Sequence, residues 1–188
     1  LREVIEMWLY ILIAVIVIIL IAFFVSYNNF VRENNKVKEA FATMDVYLKK
    51  RWDLIPNIVE TVKGYAKHEK NTLTEVIKMR NSAYDNMSDD EKIKANEKLS
   101  SGISKIIALA EAYPDLKANE NFKDLSNQLT IIEDEIASSR KYYNATVRDF
   151  NNKVEMFPSI IVAKLLGYKS KSMFEANEEE RQNVKVSL

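Results

Sequence analysis

Apolar and polar positions divide this chain into two unlike parts. From Met7 to Val25 (MWLYILIAVIVIILIAFFV) there is no charge, no Gly and no Pro. As a helix this stretch is about 28 Å long, close to the thickness of a bilayer's hydrocarbon core. Trp8 and Tyr10 stand near one end and Phe23, Phe24 and Tyr27 near the other, where amphipathic rings meet the two interfaces. The pattern predicts a transmembrane anchor over residues 1–27. A cleaved secretory signal fits less well. Only Arg2 is basic ahead of the stretch, and Ala22-Phe23-Phe24 is a poor cleavage site. A buried core helix rarely runs this long without a polar residue.

After Ser26 the pattern is polar and periodic. Val37, Phe41, Met44, Leu48, Trp52, Ile55, Val59, Val62, Ala66, Leu73, Val76 and Ala83 recur at three- and four-residue steps, with one gap near Glu69. They predict a first soluble helix from Asn28 to about Tyr84, kinked or broken at Pro56 and weakened at Gly64. A turn follows at Asp85–Ser88, and Ser88 with Glu91 forms a capping box that opens a second helix. That helix carries Leu99, Ile103, Ile106, Ala110 and Tyr113, and Pro114 ends it. Asn119 is the expected N-cap of a third helix, whose seam runs from Phe122 through Leu129, Ile136, Tyr143 and Phe150 to Phe157. Pro158 restarts the chain as a short apolar helix stopped by Gly167. The expected fold is therefore all-α: a single transmembrane helix followed by an antiparallel bundle of three long helices and a short fourth, over residues 28–168. Residues 169–188 form a polar tail. Val184, Val186 and Leu188 allow a short strand there, but a frayed terminus fits better because an isolated strand has no partner.

Composition narrows the function classes. Lys+Arg and Asp+Glu both number 27, so the formal net charge is zero and the basic excess of a nucleic-acid binder is missing. With no cysteine, disulfides, thiolate metal sites and a Cys nucleophile are excluded. Three Gly and three Pro in 188 residues leave few breakers, in keeping with long helices. Arg2 stands before the anchor; Arg32, Lys36 and Lys38 follow it. The positive-inside rule then places the soluble domain in the cytoplasm and the amino terminus outside.

Several stretches resemble the LemA family. They are Tyr27-Asn28; Ala40–Glu69 (AFATMDVYLKKRWDLIPNIVETVKGYAKHE); Glu111–Phe122 (EAYPDLKANENF); Arg140–Asn144; Asn151–Phe157 (NNKVEMF) with Pro158; and Leu166-Gly167-Tyr168. DLIPN followed by ETVKGYA-x-HE is the most specific part. Phe41 stands where the family often has Trp. The resemblance implies an amino-terminal membrane helix, an outside amino terminus and an antiparallel helical bundle. It implies no reaction.

Residue chemistry agrees with that silence. His68 is the single histidine. Thr72 occupies the position where a His-Glu-x-x-His site needs its second His, and Tyr65 the position where a Glu-x-x-His pair needs its Glu. No catalytic, metal or cofactor residue is expected. Asp53, Asn57 and Glu60 share one face of the first helix, at i, i+4 and i+7. They suggest either a polar groove for a peptide or divalent ion, or a polar network fixing helix register against Arg80, Arg140 or Lys141. Lys49-Lys50-Arg51 reads as a solvated face.

If the three helices run up, down and up, the second is too short to cover the membrane-proximal half of the first. Val37, Phe41, Met44 and Leu48 would then form an exposed apolar stripe through which copies associate. A bundle folded the other way would bury the stripe within one chain. The functional expectation is a non-enzymatic, self-associating, membrane-anchored scaffold that organises proteins or membrane at the bacterial cytoplasmic membrane. Its expected partners are membrane lipid and further copies, not nucleic acid. The alternative is an adaptor or regulatory subunit for a membrane protease or signalling protein.

Overall fold

A computed structural model describes residues 2–80 and 84–174, so Ala83 of the expected stripe and the carboxyl-terminal Val184, Val186 and Leu188 lie outside the described residues. The helices are α1 (Arg2–Tyr65), α2 (Lys70–Met79), α3 (Asp89–Glu111), α4 (Pro114–Ala118), α5 (Glu120–Glu155) and α6 (Ser159–Leu166), with a 3-10 turn at Tyr84–Asn86. The all-α expectation holds, and α1 is long and apolar enough at its amino-terminal end to cross a membrane.

Most of the predicted punctuation is present. Ser88 and Glu91 form the capping box of α3, each side chain bonded to the other's backbone N–H. Asn119 Oδ1 accepts a hydrogen bond from the Phe122 backbone N–H at 2.9 Å, capping α5. Gly167 adopts φ 72°, which closes α6, and the Tyr168 N–H reaches back to the Ala163 carbonyl at 3.0 Å. Pro114 ends α3 and also opens α4 as its first residue.

Of the kink or break expected at Pro56, the break is absent, and the first helix ends earlier than expected. Pro56 lies inside α1 and does not end it. The break falls instead at Tyr65, just after Gly64 and at the gap in the apolar stripe. The expected single helix to Tyr84 is thus two helices. A glycine at this point costs the helix about 1 kcal/mol relative to alanine. Turning back there lets Ala66, Leu73 and Val76 be buried, where a straight continuation would leave them in water.

That early turn reverses the expected topology. The chain divides into two compact units. One takes α1 up to Glu39 together with Asn144–Met173; the other takes Ala40–Tyr143 and resumes at Phe174. Within the second unit, Asp45 meets Lys92 while Arg51 meets Asn96 and Ser100, so α3 runs parallel to α1. Phe41 meets Tyr143, Arg51 meets Glu133 and Tyr65 meets Asn119, so α5 runs antiparallel to it. On α2, Glu75 meets Lys105, and Val76 and Met79 lie over Gly102. A Cβ on Gly102 would come within 3.1 Å of Met79 Sδ and Val76 Cγ2, so glycine permits this close approach of α2 and α3. The order along α1 is therefore up, down, up, down.

Because the third long helix comes down α1 rather than up it, the membrane-proximal stripe is covered. Val37, Phe41, Met44 and Leu48 are all buried within one chain, none more than 6% exposed. The exposed stripe expected from the sequence does not exist, and these four side chains belong to the core. In the first unit, Phe30, Phe150 and Tyr168 form a ring cluster, with Phe30 stacked on Tyr168 at 5.3 Å and edge-on to Phe150 at 6.4 Å. Asn151 exchanges two hydrogen bonds with the Lys171 backbone, at 2.8 and 2.9 Å, tying down the start of the polar tail. Burial alone would raise the Glu33 carboxyl. Lys153 at 3.1 Å and Lys36 at 3.4 Å outweigh it and hold that group below the usual carboxylate range.

Removing buried volume at the stripe therefore has the cost of a core truncation. Met44→Ala is expected to lower stability by about 2–5 kcal/mol. Val46→Ala, at a site 53% exposed, is expected to stay within about 0.5 kcal/mol. Urea unfolding of the detergent-solubilised protein followed by circular dichroism measures both. Equal, small effects would show that the Met44 face is not core.

Candidate functional site

The apolar stripe of α1 is interrupted once by a charge. Arg51 lies three residues after Leu48 and four before Ile55, so its backbone position faces the core. Its side chain is fully buried. Nη1 donates to both Glu133 carboxylate oxygens, at 2.9 and 3.0 Å, and to Ser100 Oγ at 3.0 Å. Nη2 donates to the Asn96 carbonyl and to Asn96 Oδ1, both at 2.9 Å. One planar guanidinium thus ties α1 to α3 and α5. Nε has no hydrogen-bond partner among the described residues. Glu133 is 38% exposed, so water screens its side of the pair.

The network continues along α3. Asn96 Nδ2 donates to the Lys92 carbonyl, and the Lys92 ammonium pairs with Asp45 at 2.7 Å. The Tyr84 hydroxyl donates to the other Asp45 oxygen at 2.6 Å. Burial, and then the adjacent Asp45 carboxylate, push the Tyr84 phenol well above its ordinary range. It stays protonated as a donor. Burial, with Asp89 and Asp90 acting from a distance, likewise pushes Tyr143 up to about 12.

Pro56 leaves a local debt that another helix settles. Its ring nitrogen cannot donate to the Trp52 carbonyl four residues back. Arg80, just past the end of α2, donates Nε–H to that oxygen at 3.0 Å. Its Nη2 also approaches Asp53 at 3.7 Å. The proline is tolerated inside α1 because its orphaned carbonyl has a substitute donor.

Asp53 and Asn57 then open outward. With Lys50, Leu54, Gln128, Ile131 and Ile132 they line a groove of about 520 Å³ between α1 and α5. Its polar edge is Lys50, Asp53, Asn57 and Gln128. Its apolar part is Leu54, Ile131 and Ile132, and Ile131 is 62% exposed. Glu60, the third residue expected on this face, does not line the groove and instead approaches Lys63 at 3.4 Å. Of the basic residues expected to meet this face, Arg80 reaches Asp53, whereas Arg140 lies over the Phe174 ring at 5.2 Å.

The groove holds no general acid–base pair and no nucleophile beside a base. His68 is exposed and lines a different cleft, of about 740 Å³, between α1 and α2, with Lys63, Lys67 and Lys70. Among the described residues no three His, Cys, Asp or Glu side chains gather closely enough to hold a metal ion. What the α1/α5 groove can do is hold an amphipathic segment. It offers a few apolar side chains for anchorage and an acid, a base and two amides for orientation.

Arg80 and Pro56 should be energetically coupled. Arg80→Met in the native background is expected to cost about 1–2 kcal/mol, the cost of a buried carbonyl losing its donor. In a Pro56→Ala background, where the backbone N–H is restored, the same change should cost several-fold less. Thermal or urea unfolding of the four proteins in a double-mutant cycle measures the coupling. Additive effects would mean that Arg80 acts only through Asp53.

A model of the LemA family matches residues 40–188, the part that begins where the second compact unit begins. "Protein LemA" of Metamycoplasma hominis is 27% identical over 162 residues, covering 85% of this chain and 74% of that one. The magnetosome proteins MamQ 1 and MamQ 2 of Paramagnetospirillum magneticum are each 27% identical over 73 residues. MamQ of Magnetospirillum gryphiswaldense is 28% identical over 72. These MamQ matches cover 38–39% of this chain but only 26–27% of the MamQ chains, a shared segment rather than a shared whole. With the family match spanning most of the chain and the long helix of expected type at its front, the chain belongs to the LemA family.

Proposed function

We propose that this protein is a non-enzymatic, membrane-anchored helical scaffold whose soluble bundle holds a segment of a partner protein in the α1/α5 groove. The observation that carries the reading is the groove itself: Ile131 exposed beside Leu54 and Ile132, rimmed by Lys50, Asp53, Asn57 and Gln128. An amphipathic helix laid there would bury its apolar face and meet charge and amide at the edge. The buried Arg51 clamp lies on the same two helices, so the walls are held before a partner arrives, which lowers the entropic cost of binding. Self-association through Val37, Phe41, Met44 and Leu48 is no part of this reading, because those side chains are in the core.

The apolar stretch Met7–Val25 is the anchor, with Trp8, Tyr10, Phe23, Phe24 and Tyr27 at its interfaces. Arg32, Lys36 and Lys38 against Arg2 support an orientation with the bundle in the cytoplasm of a bacterial cell and the amino terminus outside. The partner is accordingly a membrane or membrane-associated protein, such as a protease or signalling protein that this chain regulates, or a further copy of the chain.

A photo-crosslinking amino acid at position 131 of the full-length protein in cells tests the groove. A discrete adduct is expected, and it should disappear when Asn57→Ala is added and the fold is unchanged. An adduct of twice the chain's mass would identify the partner as a second copy, and any other mass an unlike protein. No adduct from position 131 would sink the reading. The natural absence of cysteine makes orientation equally direct to measure. Lys141→Cys should react with a membrane-impermeant maleimide only after the cells are permeabilised; labelling of intact spheroplasts would place the bundle outside.

A further inference from the structure

The first unit carries an apolar surface that neither the groove nor the core accounts for. At the end of α5 and along α6, Met156 is 59% exposed, Phe157 80%, Ile161 53% and Leu165 71%. Ile161 and Leu165 are four residues apart on α6 and so share one face, while Ala163, turned the other way, is buried. Phe157 precedes Ile161 by four more positions, just ahead of the helix. Four large apolar side chains in the open, around an eight-residue helix, are more than scattered surface residues.

Their height relative to the anchor indicates what covers them. α1 and α5 are each continuous helices, antiparallel where Phe41 meets Tyr143 and Arg51 meets Glu133, and further along them Phe150 lies against Phe30 and Lys153 against Glu33. Carried forward by one residue per residue, these two pairs bring Phe157 level with position 23 (30 − 7) or 29 (33 − 4) of α1. That interval holds Phe23, Phe24, Val25 and Tyr27, the end of the apolar stretch and its interfacial rings. Tyr168, just past α6, stacks on Phe30, so α6 begins and ends near the same level. The charges fit as well. Lys164 and Lys169 are exposed and form no ion pair among the described residues, while Glu155 is occupied by Ser170 Oγ at 2.6 Å.

We propose that the end of α5 and α6 form a second membrane contact, in which Phe157, Ile161 and Leu165 enter the interfacial region of the bilayer that the anchor crosses and Lys164 and Lys169 meet anionic headgroups. This rests on the reading of Met7–Val25 as a transmembrane anchor. A short amphipathic element of this kind lies in the interface plane, with its apolar side chains reaching the acyl boundary and its cations in the headgroup layer. The anchor supplies effective concentration, so a contact too weak to bind vesicles alone still forms. Its consequence is mechanical. A single helix leaves a bundle free to tilt, and a second contact beside it restricts the bundle's inclination to the membrane.

The test uses single cysteines in this chain of 188 residues, which has no cysteine of its own, labelled with an environment-sensitive fluorophore. The protein is reconstituted in nanodiscs of phosphatidylcholine and phosphatidylglycerol. Phe157→Cys and Leu165→Cys are expected to give blue-shifted emission that shallow doxyl lipids quench and deep ones spare. Ile16→Cys should be quenched by deep doxyl lipids, and Lys141→Cys by neither. If Ile16→Cys reads bilayer while Phe157→Cys and Leu165→Cys read water, the anchor stands and the second contact is overturned. If Ile16→Cys also reads water, the anchor reading falls and the inference with it. Blue-shifted emission at 157 and 165 that no doxyl lipid quenches, with disulfide crosslinking between copies, would assign the face to a second copy and overturn the lipid assignment. Replacing Lys164 and Lys169 with Gln should weaken the shallow quenching in anionic discs and leave Ile16→Cys unchanged.

Discussion

A buried guanidinium sets the terms for the soluble bundle. Arg51 has no water to fall back on, so its donors must find oxygen within the fold, and they find it on two other helices at once: Asn96 and Ser100 on α3, Glu133 on α5. An apolar core accepts many registers and both helix directions. A planar cation with fixed donor vectors accepts very few, because each alternative leaves a buried charge without partners. The parallel course of α3 along α1 and the antiparallel course of α5 both pass through this point. Asp45, Lys92 and Tyr84 extend the same logic nearly two turns further towards the amino-terminal side of α1.

The early turn at Tyr65 completes that arrangement. With α1 continued to Tyr84, the second long helix would have to descend and the third to ascend, and Val37, Phe41, Met44 and Leu48 would lack a cover. Ending α1 near Gly64 places the short α2 on the way down, so α3 goes up and α5 returns along the whole remaining length of the stripe. The core and the topology are thus one decision. The same decision creates the α1/α5 groove, because Asp53 and Asn57 on the flank of α1 come beside Gln128 and Ile131 only when α5 lies there.

Legibility varied with the range of the interaction. The capping box at Ser88, the Asn119 cap, the Gly167 stop and the apolar stretch Met7–Val25 were readable because each depends on residues within one or two turns. Pro56 misled in part: the local cost of a proline in a helix is real, but its consequence is cancelled by Arg80, 24 residues away. Arg51 was hidden inside a run of three basic residues, where it passed for surface charge. Its spacing from Leu48 and Ile55 was the available signal, since a charge on a core-facing position must be paired across the bundle. Asp53 and Asn57 are exposed and line the groove. Glu60 was not part of the groove, and no spacing rule distinguishes the two outcomes without the position of α5.

The sequence by itself determined the local quantities: an all-helical chain, a membrane-length apolar stretch at its front, the caps, the absence of cysteine, and the family. These follow from periodicity, composition and nearest-neighbour hydrogen bonding, which a linear string records completely. Tertiary structure alone decided the direction of each helix, the burial of the proximal stripe, the partner of the Trp52 carbonyl and the apolar face around Phe157 and Leu165. Those depend on which distant residues share a level along α1. A difference of one helical break, at Tyr65 rather than Tyr84, exchanges one set of neighbours for another while leaving every local preference satisfied.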